Sequence, residues 1–375
     1  MPTTFQRKKP SKHLKEKFRG CLLGGAIGDA LGAPVEFMRR SQILHTFGDQ
    51  GITDFTPAYG KLGAVTDDTQ MMAFTAEGLL RAYVRSRTRG FCHPPSVIEK
   101  AYYRWLYTQE HSYIDFADEH VDGWLIRHPE LFSQRAPGVT CLNALRSRHG
   151  RNKSKGCGGV MRVAPVGLMY YSLLSDNNVD ESLKNSFQIA CEAAAITHGH
   201  PTGQLASGAF SSIVFLLLYG KTLLEAIEIV LAMLSEQDNA SETINAINHS
   251  VQLAKSSTDP VTAISSLGEG WVAEEALAIG LYCALTASNF QDGVIRAVNH
   301  DGDSDSTGLI AGHLLGITYG LKAIPEHWLQ KLELRGMLEE LADDLATVGS
   351  WQLDCYSEGA AKKEADYYFN RYPGC

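Results

Sequence analysis

The sequence predicts an all-α protein built as a single helical bundle. Apolar residues recur at the spacing of a helix face from Phe18 almost to the end of the chain, whereas the strict alternation of a half-buried strand is scarce. Neither an internal repeat nor a long polar linker divides this region. With 375 residues, of which 44% are hydrophobic and 20% charged, the chain can bury a substantial core. We therefore predict one all-α domain over residues 18–375.

The first predicted helix carries a glycine at every fourth position. Gly20, Gly24, Gly28 and Gly32 leave one face of this helix without side chains, so another backbone can approach closely. The helix should end near Ala33, because the residue before a proline avoids the α conformation. Further helices are predicted over residues 68–84, 97–107, 185–196, 204–218, 223–234, 243–253, 273–285, 290–298, 307–321 and 328–345.

The charge of the chain is unevenly distributed. Residues 1–19 carry a net charge of +6 in a chain of net charge −8, which leaves −14 on the remainder. An acidic body argues against nucleic acid as a partner. We predict that residues 1–17 form a flexible basic N-terminal extension, which is either a solvated tail or an arm that docks on an acidic partner.

Cysteine usage and hydropathy indicate a cytoplasmic protein. The eight cysteines form no CxxC pair, as is usual for reduced thiols. The basic N-terminus is not followed by the apolar segment of a signal peptide, and the longest apolar run, residues 213–219, is too short to span a bilayer.

Two short acidic motifs bear the strongest chemical signal. The first is Thr66-Asp67-Asp68-Thr69, and the second is Asp303-Ser304-Asp305-Ser306. Each runs directly into an apolar segment, so each is expected at the start of a helix, where a cap and a favourable dipole are the simplest explanation. A helix cap, however, needs only one oxygen, whereas each motif carries two carboxylates that repel each other. A bound cation would relieve this repulsion, so the motifs are candidates for a metal site. Such hard oxygen ligands suit Mg²⁺, Mn²⁺ or Ca²⁺ better than zinc.

Three other segments are candidates for binding a ligand. Gly156, Gly158 and Gly159 flank Cys157 in a loop whose backbone N–H groups can approach a pyrophosphate, although a tight turn alone would also account for them. His198, Gly199 and His200 precede Pro201, and a structural role for either histidine stays open. Gly270-Trp271 precedes a helix and can present its indole to an adenine or ribose ring, with a core tryptophan as the alternative.

Taken together, these segments resemble the ADP-ribosylglycohydrolase family. Five stretches match in family order and span the chain from residue 19 to about residue 345. They are residues 19–32, 66–69, 156–162, 197–200 and 302–308. The resemblance implies an orthogonal α-helical bundle, of the ADP-ribosylglycohydrolase type, with two Mg²⁺ ions in a cleft; Mn²⁺ is possible in their place.

The resemblance also implies roles for individual residues. The metal ligands would be Thr66, Asp67, Asp68, Asp303, Asp305 and Ser306. Many relatives have threonine where Ser306 stands, and the neighbouring Thr307 is an alternative hydroxyl ligand. Glu36 and Asp303 are the implied catalytic residues. Gly156, Cys157, Gly158, Gly159, Met161, His198, Gly199 and His200 would bind ADP-ribose, and relatives often have asparagine in place of Cys157.

The expected activity is hydrolysis of the N-glycosidic bond between ADP-ribose and a protein side chain. The sequence most resembles the arginine-directed branch of the family, so the expected linkage is ADP-ribosyl-arginine. Serine-linked ADP-ribose or a small ADP-ribosyl metabolite is the alternative substrate. A different class of function is that of an immunity protein, which would neutralise an ADP-ribosyltransferase toxin partly through the N-terminal arm. A third hypothesis is that the chain is a family member that has lost its activity and serves as a structural protein, but the complete set of acidic ligands argues against it.

Overall fold

The computed structural model describes residues 10–110, 122–147, 152–174, 178–353 and 358–374. Over these ranges it contains seventeen α-helices and five short 3₁₀ turns, and no β-strand. The all-α prediction is therefore confirmed. Only two isolated β-bridges occur within the described ranges, Ala58 with Lys61 and Gly156 with Val272.

The helices follow one another along the chain with short connections. They are α1 Lys12–Gly32, α2 Arg40–Phe47, α3 Asp67–Arg89, α4 Pro94–Glu110, α5 Val139–Ser147, α6 Ala164–Ser172, α7 Val179–Ala195, α8 Pro201–Leu218, α9 Leu223–Ser235, α10 Ser241–Lys255, α11 Pro260–Leu267, α12 Ala273–Thr286, α13 Phe290–Val298, α14 Ser304–Tyr319, α15 Glu326–Lys331, α16 Arg335–Thr347 and α17 Gly359–Arg371. The 3₁₀ turns are Leu125–Arg127, Pro129–Leu131, Cys157–Gly159, Leu321–Ala323 and Val348–Ser350.

Helix α1 begins earlier than the sequence indicated. Its N-cap is Ser11, whose side chain accepts a hydrogen bond from the Leu14 N–H. Lys15 lies within the helix and pairs with Asp343 of α16 at 3.6 Å. The boundary of the basic extension at residue 17 was therefore wrong, because residues 12–17 are helical. Residues 1–9 of the predicted extension lie outside the described residues.

The closest helix pair in the bundle is α1 with α14, and glycines on both helices make it possible. The pair is antiparallel: Gly20 faces Gly316, Gly24 faces Gly312, and Gly28 faces Gly308. A Cβ atom on any of these α1 glycines would collide with a carbonyl group of the other helix. The antiparallel contact brings the C-terminal end of α1 to the N-terminal end of α14. It thereby places the segment after α1 beside the second acidic motif.

Helix α8 forms part of the centre of the bundle. It is the one helix of the described residues that is long and apolar enough to span a membrane, but 89% of its 18 residues are buried inside the protein. It packs against α6, α7 and α12. These properties are those of a core helix.

Candidate active site

The start of α3 is fixed by a buried carboxylate of α1. Asp29, which is fully buried, accepts hydrogen bonds from the backbone N–H groups of Thr66 at 3.0 Å and Thr69 at 3.1 Å. It also accepts one from the Thr69 hydroxyl. The Thr66 hydroxyl in turn accepts from the Asp68 N–H at 3.2 Å and caps the helix. Asp29 therefore holds the first acidic motif in place, which is a structural role.

The two acidic motifs meet in the structure. Asp67 and Asp68 are each 4% exposed. The Ser306 hydroxyl donates a hydrogen bond to Asp68 Oδ2 at 2.7 Å, across 238 positions of sequence. Asp67 Oδ2 accepts from the Gly138 N–H at 3.1 Å, so the segment before α5 also contributes to the site.

Glu36 lies with the carboxylates of the second motif. Oxygen atoms of Glu36, Asp303 and Asp305 all lie within 4.8 Å of one another, and all three residues are buried. Asp303 is the N-cap of α14 and Asp305 lies in its first turn. We refer to Glu36, Asp67, Asp68, Asp303 and Asp305 as the carboxylate cluster.

Burial and mutual repulsion raise the pKa values in this cluster. The pKa of Glu36 rises to about 11, first because the side chain is buried and then because Asp305 and Asp303 are close. The pKa values of Asp67, Asp68 and Asp303 are likewise raised well above the usual range, with burial as the largest cause. Asp29 follows the same pattern, with a pKa raised to about 7.

These properties fit a divalent cation. The donors are hard oxygens, and Glu36 Oε2 is buried with no hydrogen-bond partner among the residues that the structure describes. A bound cation would satisfy that oxygen and relieve the repulsion that raises the pKa values. The structure also separates the two hydroxyl candidates. Ser306 points at Asp68, whereas the Thr307 hydroxyl contacts His300 Nε2 at 2.7 Å and the Ala297 carbonyl at 2.8 Å.

The chain is similar to known proteins over most of its length. The family model described as ADP-ribosylglycohydrolase matches residues 10–354. The chain belongs to the ADP-ribosylglycohydrolase family. The structure is also similar to a solved structure described as an ADP-ribosylglycohydrolase-related protein complex, with a TM-score of 0.62 and 26% identity, over 91% of this chain and 100% of the other.

Several curated relatives of this family match over most of their length. A protein of Archaeoglobus fulgidus described as uncharacterized is 32% identical over 345 residues, covering 88% of this chain and 96% of the relative. The ADP-ribosyl-[dinitrogen reductase] glycohydrolase of Rhodospirillum rubrum is 27% identical, covering 87% of this chain and 92% of the relative. The ADP-ribosylarginine hydrolase Tri1 of Serratia proteamaculans is 24% identical, covering 90% and 80% respectively.

The glycine loop, residues 156–159, lies on the same side of the fold as Asp303. The Cys157 N–H donates to the Trp271 carbonyl at 3.1 Å, and the Ala273 N–H donates to the Lys155 carbonyl at 2.8 Å. Burial raises the pKa of the Cys157 thiol well above its usual value, and the charges of Asp303 and Asp68 raise it further. The thiol is therefore neutral, and the loop adjoins the side of the cluster formed by these two aspartates.

Other predicted ligand-binding residues are used by the fold itself. Met161 is 2% exposed and belongs to the apolar core. His198 is also 2% exposed, its Nδ1 contacts the Thr197 hydroxyl at 2.8 Å, and burial lowers its pKa to about 3, so the ring is neutral. His200 Nδ1 accepts from the Thr202 N–H at 3.2 Å and caps α8. The Gly199 N–H donates to Asn152 at 3.1 Å.

Trp271 lies at the rim of the site and is not a core residue. Its side chain is 38% exposed and stacks on Phe37 with ring centroids 5.8 Å apart. Phe37 directly follows Glu36 and is 74% exposed. Gly270 has a φ of +83°, and a Cβ atom there would lie 2.9 Å from Thr307 and 3.3 Å from Asp303. The Gly270-Trp271 segment thus places an aromatic surface beside the carboxylate cluster.

Sequence reasoning missed Tyr59 and Arg135. Both lie next to the first acidic motif: the Asp67 N–H donates to the Arg135 carbonyl at 3.0 Å, and the Arg135 guanidinium lies 5.1 Å from the centre of the Tyr59 ring. The sequence signal for Tyr59 was the dipeptide Tyr59-Gly60, in which a tyrosine stands at the position before glycine that asparagine usually occupies in a tight turn. Arg135 offers no local signal, because its neighbours in the fold are far away in sequence.

Proposed function

We propose that this protein is a Mg²⁺-dependent hydrolase that removes ADP-ribose from modified arginine side chains. The observation that carries the proposal is the grouping of Glu36, Asp303 and Asp305 within 4.8 Å, joined to the first motif by the bond between Ser306 and Asp68. Membership of the family supports ADP-ribosyl hydrolysis. The arginine linkage is supported by the name of the Tri1 relative and by the resemblance of residues 303–308 to the arginine-directed branch.

The metal would be held by the residues that converge on the cluster. Thr66, Asp67 and Asp68 offer oxygens from the start of α3, and Asp303, Asp305 and Ser306 offer them from the start of α14. Bound there, Mg²⁺ would supply positive charge to the ribose hydroxyls and lower the pKa of a nearby water. These ligands come from two separate helix starts, and the Asp29 and glycine contacts described above fix both helices. The site is thus formed before substrate arrives.

Glu36 is placed to move a proton during the reaction. It lies four residues after the end of α1, is 7% exposed, and its Oε2 makes no hydrogen bond to any of the described residues. Cleavage of a glycosidic bond passes through a transition state with oxocarbenium character, in which the leaving nitrogen gains a proton and water loses one. The Glu36 carboxyl would donate the first proton or accept the second.

The ADP part of the substrate would lie along the glycine loop. The Gly156 and Cys157 N–H groups are already bonded to Ser154 and Trp271, so the N–H groups of Gly158 and Gly159 would be the donors to the pyrophosphate. Trp271 and Phe37 would cover the adenosine or ribose at the rim. We also propose that the reaction takes place in the cytoplasm, as the cysteine usage suggests.

The decisive experiment measures release of ADP-ribose from an arginine-modified protein, with Mg²⁺ and with chelator. Asp303→Ala should be compared with Asp303→Asn, which keeps a side-chain oxygen to cap α14 but lacks the charge. We expect chelator and both substitutions to lower the rate by at least about 100-fold. Asp238→Asn, at an exposed aspartate, is the matched control. Full activity in chelator or in Asp303→Ala would contradict the metal mechanism.

A parallel assay with serine-linked ADP-ribose tests the linkage. If the serine-linked substrate is cleaved faster than the arginine-linked one, the protein is an ADP-ribosyl hydrolase of different specificity. In that case the assignment of the linkage fails and the assignment of the site stands.

A further inference from the structure

Tyr59 occupies a strained position in a tight turn. The turn joins Ala58 to Lys61 by two backbone hydrogen bonds of 2.9 Å, and its central residues, Tyr59 and Gly60, have φ values of +50° and +78°. Positive φ at both central positions is the geometry for which Asn-Gly is the usual sequence. Tyrosine has no local reason to adopt it, since its Cβ atom opposes the left-handed conformation. Strain of this kind tends to concentrate at functional sites.

Two ion pairs hold the turn and the tyrosine ring in one orientation. Lys61 Nζ lies 2.8 Å from Glu333 Oε1, and Arg135 Nη2 lies 3.2 Å from the same oxygen. Glu333 and Arg135 are both 6% exposed in their side chains. Because the Arg135 guanidinium lies over one face of the Tyr59 ring, this buried pair fixes the ring as well as the turn.

The fixed ring adjoins the carboxylate cluster. The Arg135 carbonyl accepts a hydrogen bond from the Asp67 N–H, and Arg135 Nη1 donates to the Val65 carbonyl at 3.4 Å. Arg135 therefore contacts the backbone within the first motif and just before it. The pKa of the Tyr59 hydroxyl is raised, mainly by burial and then by the charge of Glu36. Through its contact with Arg135, the Tyr59 ring thus lies beside the backbone that leads into the first motif, while 43% of the residue remains exposed to solvent.

Tyr59 and the glycine loop adjoin different members of the cluster. The Cys157 N–H donates to the Trp271 carbonyl, and the preceding Gly270 lies beside Asp303, since a Cβ atom there would be 3.3 Å from the Asp303 Cβ. The Tyr59 ring lies instead against Arg135, whose carbonyl accepts from the Asp67 N–H. A substrate that extends from the glycine loop across the cluster would therefore place its leaving group on the side of Tyr59.

We propose that Tyr59 is a specificity-determining residue that binds the guanidinium group of the modified arginine. This inference rests on the proposed function. A guanidinium is planar and cationic, and it packs favourably on an aromatic ring. A serine-linked substrate presents neither a plane nor a charge at this position, so the ring discriminates between the two linkages.

The test compares Tyr59→Phe with Tyr59→Asn. Phenylalanine keeps the ring, whereas asparagine removes it and is better suited to the turn, so loss of folding is not expected. For each variant we would measure KM and kcat on arginine-linked and serine-linked substrates, the affinity for free ADP-ribose, and the melting temperature. Phe91→Asn is the matched control, because Phe91 is 79% exposed and follows the far end of α3, about 34 Å from Asp67 at 1.5 Å per residue.

We expect Tyr59→Asn to raise KM about tenfold on the arginine-linked substrate, to leave the serine-linked KM within about twofold, and to leave ADP-ribose affinity unchanged. Tyr59→Phe should stay within about threefold of the wild type on all substrates. The inference is overturned if Tyr59→Asn leaves the arginine-linked KM unchanged, or if it weakens free ADP-ribose by the same factor. A wild-type protein that binds ADP-ribose but does not cleave the arginine linkage would refute the proposed linkage and the role of Tyr59 together. An active wild type with an unaffected Tyr59→Asn variant would refute only the role of Tyr59.

Discussion

The Ser306 hydroxyl donates a hydrogen bond to Asp68 Oδ2 at 2.7 Å, and both groups are buried. This bond joins the starts of α3 and α14, which are the two sources of the predicted metal ligands. It also gives Ser306 a defined place in the carboxylate cluster, which Thr307 lacks because its hydroxyl is engaged by His300 and two backbone carbonyls.

Ser306 is expected to contribute to metal affinity through its hydroxyl. Ser306→Ala should weaken Mg²⁺ binding by about 10–100-fold, because it removes an oxygen ligand and leaves Asp68 without a donor. Ser306→Thr, which keeps the hydroxyl, should bind within a few-fold of the wild type. Calorimetric titration of Mg²⁺ measures both variants. Equal affinity in Ser306→Ala and the wild type would show that the hydroxyl is not a ligand.

Glu36 is expected to make the metal-free protein less stable at high pH. Its pKa in the folded state is raised to about 11 from an ordinary value of 4.5, so the folded protein holds this proton more tightly than the unfolded chain. The free energy of unfolding should therefore fall as the pH rises above about 4.5. In chelator, the wild type should melt at a lower temperature at pH 8 than at pH 5.5.

Glu36→Gln and added Mg²⁺ should both relieve this effect. The variant, which has no charge to bury, should melt higher than the wild type at pH 8 in chelator, with a smaller difference at pH 5.5. Mg²⁺ should raise the melting temperature of the wild type more at pH 8 than at pH 5.5, since only ionised carboxylates bind it well. Differential scanning calorimetry over this pH range is the measurement. A variant less stable than the wild type at pH 8 would contradict the assignment.

The contact between α1 and α14 should tolerate no side chain at its centre. Gly28→Ala would drive a Cβ atom into the carbonyl of Gly308, so we expect a loss of about 2–3 kcal/mol in the free energy of unfolding. Gly336→Ala is the matched control, because Gly336 lies in α16 with nothing within 4 Å of its Cβ position. It should be neutral or stabilising by about 0.5–1 kcal/mol. Urea denaturation distinguishes the two, and equal stability of both variants would mean that the helices can separate at no cost.

The role of the N-terminal arm is best tested with a deletion that spares α1. Removing residues 1–17 would take away the Ser11 cap and the Lys15–Asp343 pair, so we expect it to destabilise the protein by about 1 kcal/mol or more. Removing residues 1–9 leaves both intact and should retain hydrolase activity and the wild-type melting temperature. If the arm neutralises an ADP-ribosyltransferase, the shorter deletion should abolish that inhibition. Inhibition that survives it would place any immunity function in the helical domain.

Much of the site could be anticipated because its signals are local. A helix start rich in carboxylates can be recognised in the sequence, because its residues are neighbours along the chain. The regular glycines of α1 likewise predict a close contact with another helix, although they do not identify that helix. The start of α1 was placed too late, because Lys12, Lys15 and Lys17 suggested a solvated tail, whereas the Ser11 cap and the pair with Asp343 make the segment helical.

The amino-acid sequence by itself determined the all-α class, the two acidic motifs and the glycine face of α1, since each depends on neighbours within a few residues. Only the tertiary structure decided that Ser306 and not Thr307 faces Asp68, that His198 and Met161 are buried in the fold, and that Tyr59 adjoins the carboxylate cluster. The reason is that these relationships depend on contacts between distant segments: the Ser306–Asp68 bond spans 238 positions and the Arg135–Val65 bond beside Tyr59 spans 70. The glycine face of α1 predicts a close partner, but only the fold shows that the partner is α14 and that the second acidic motif lies at its start.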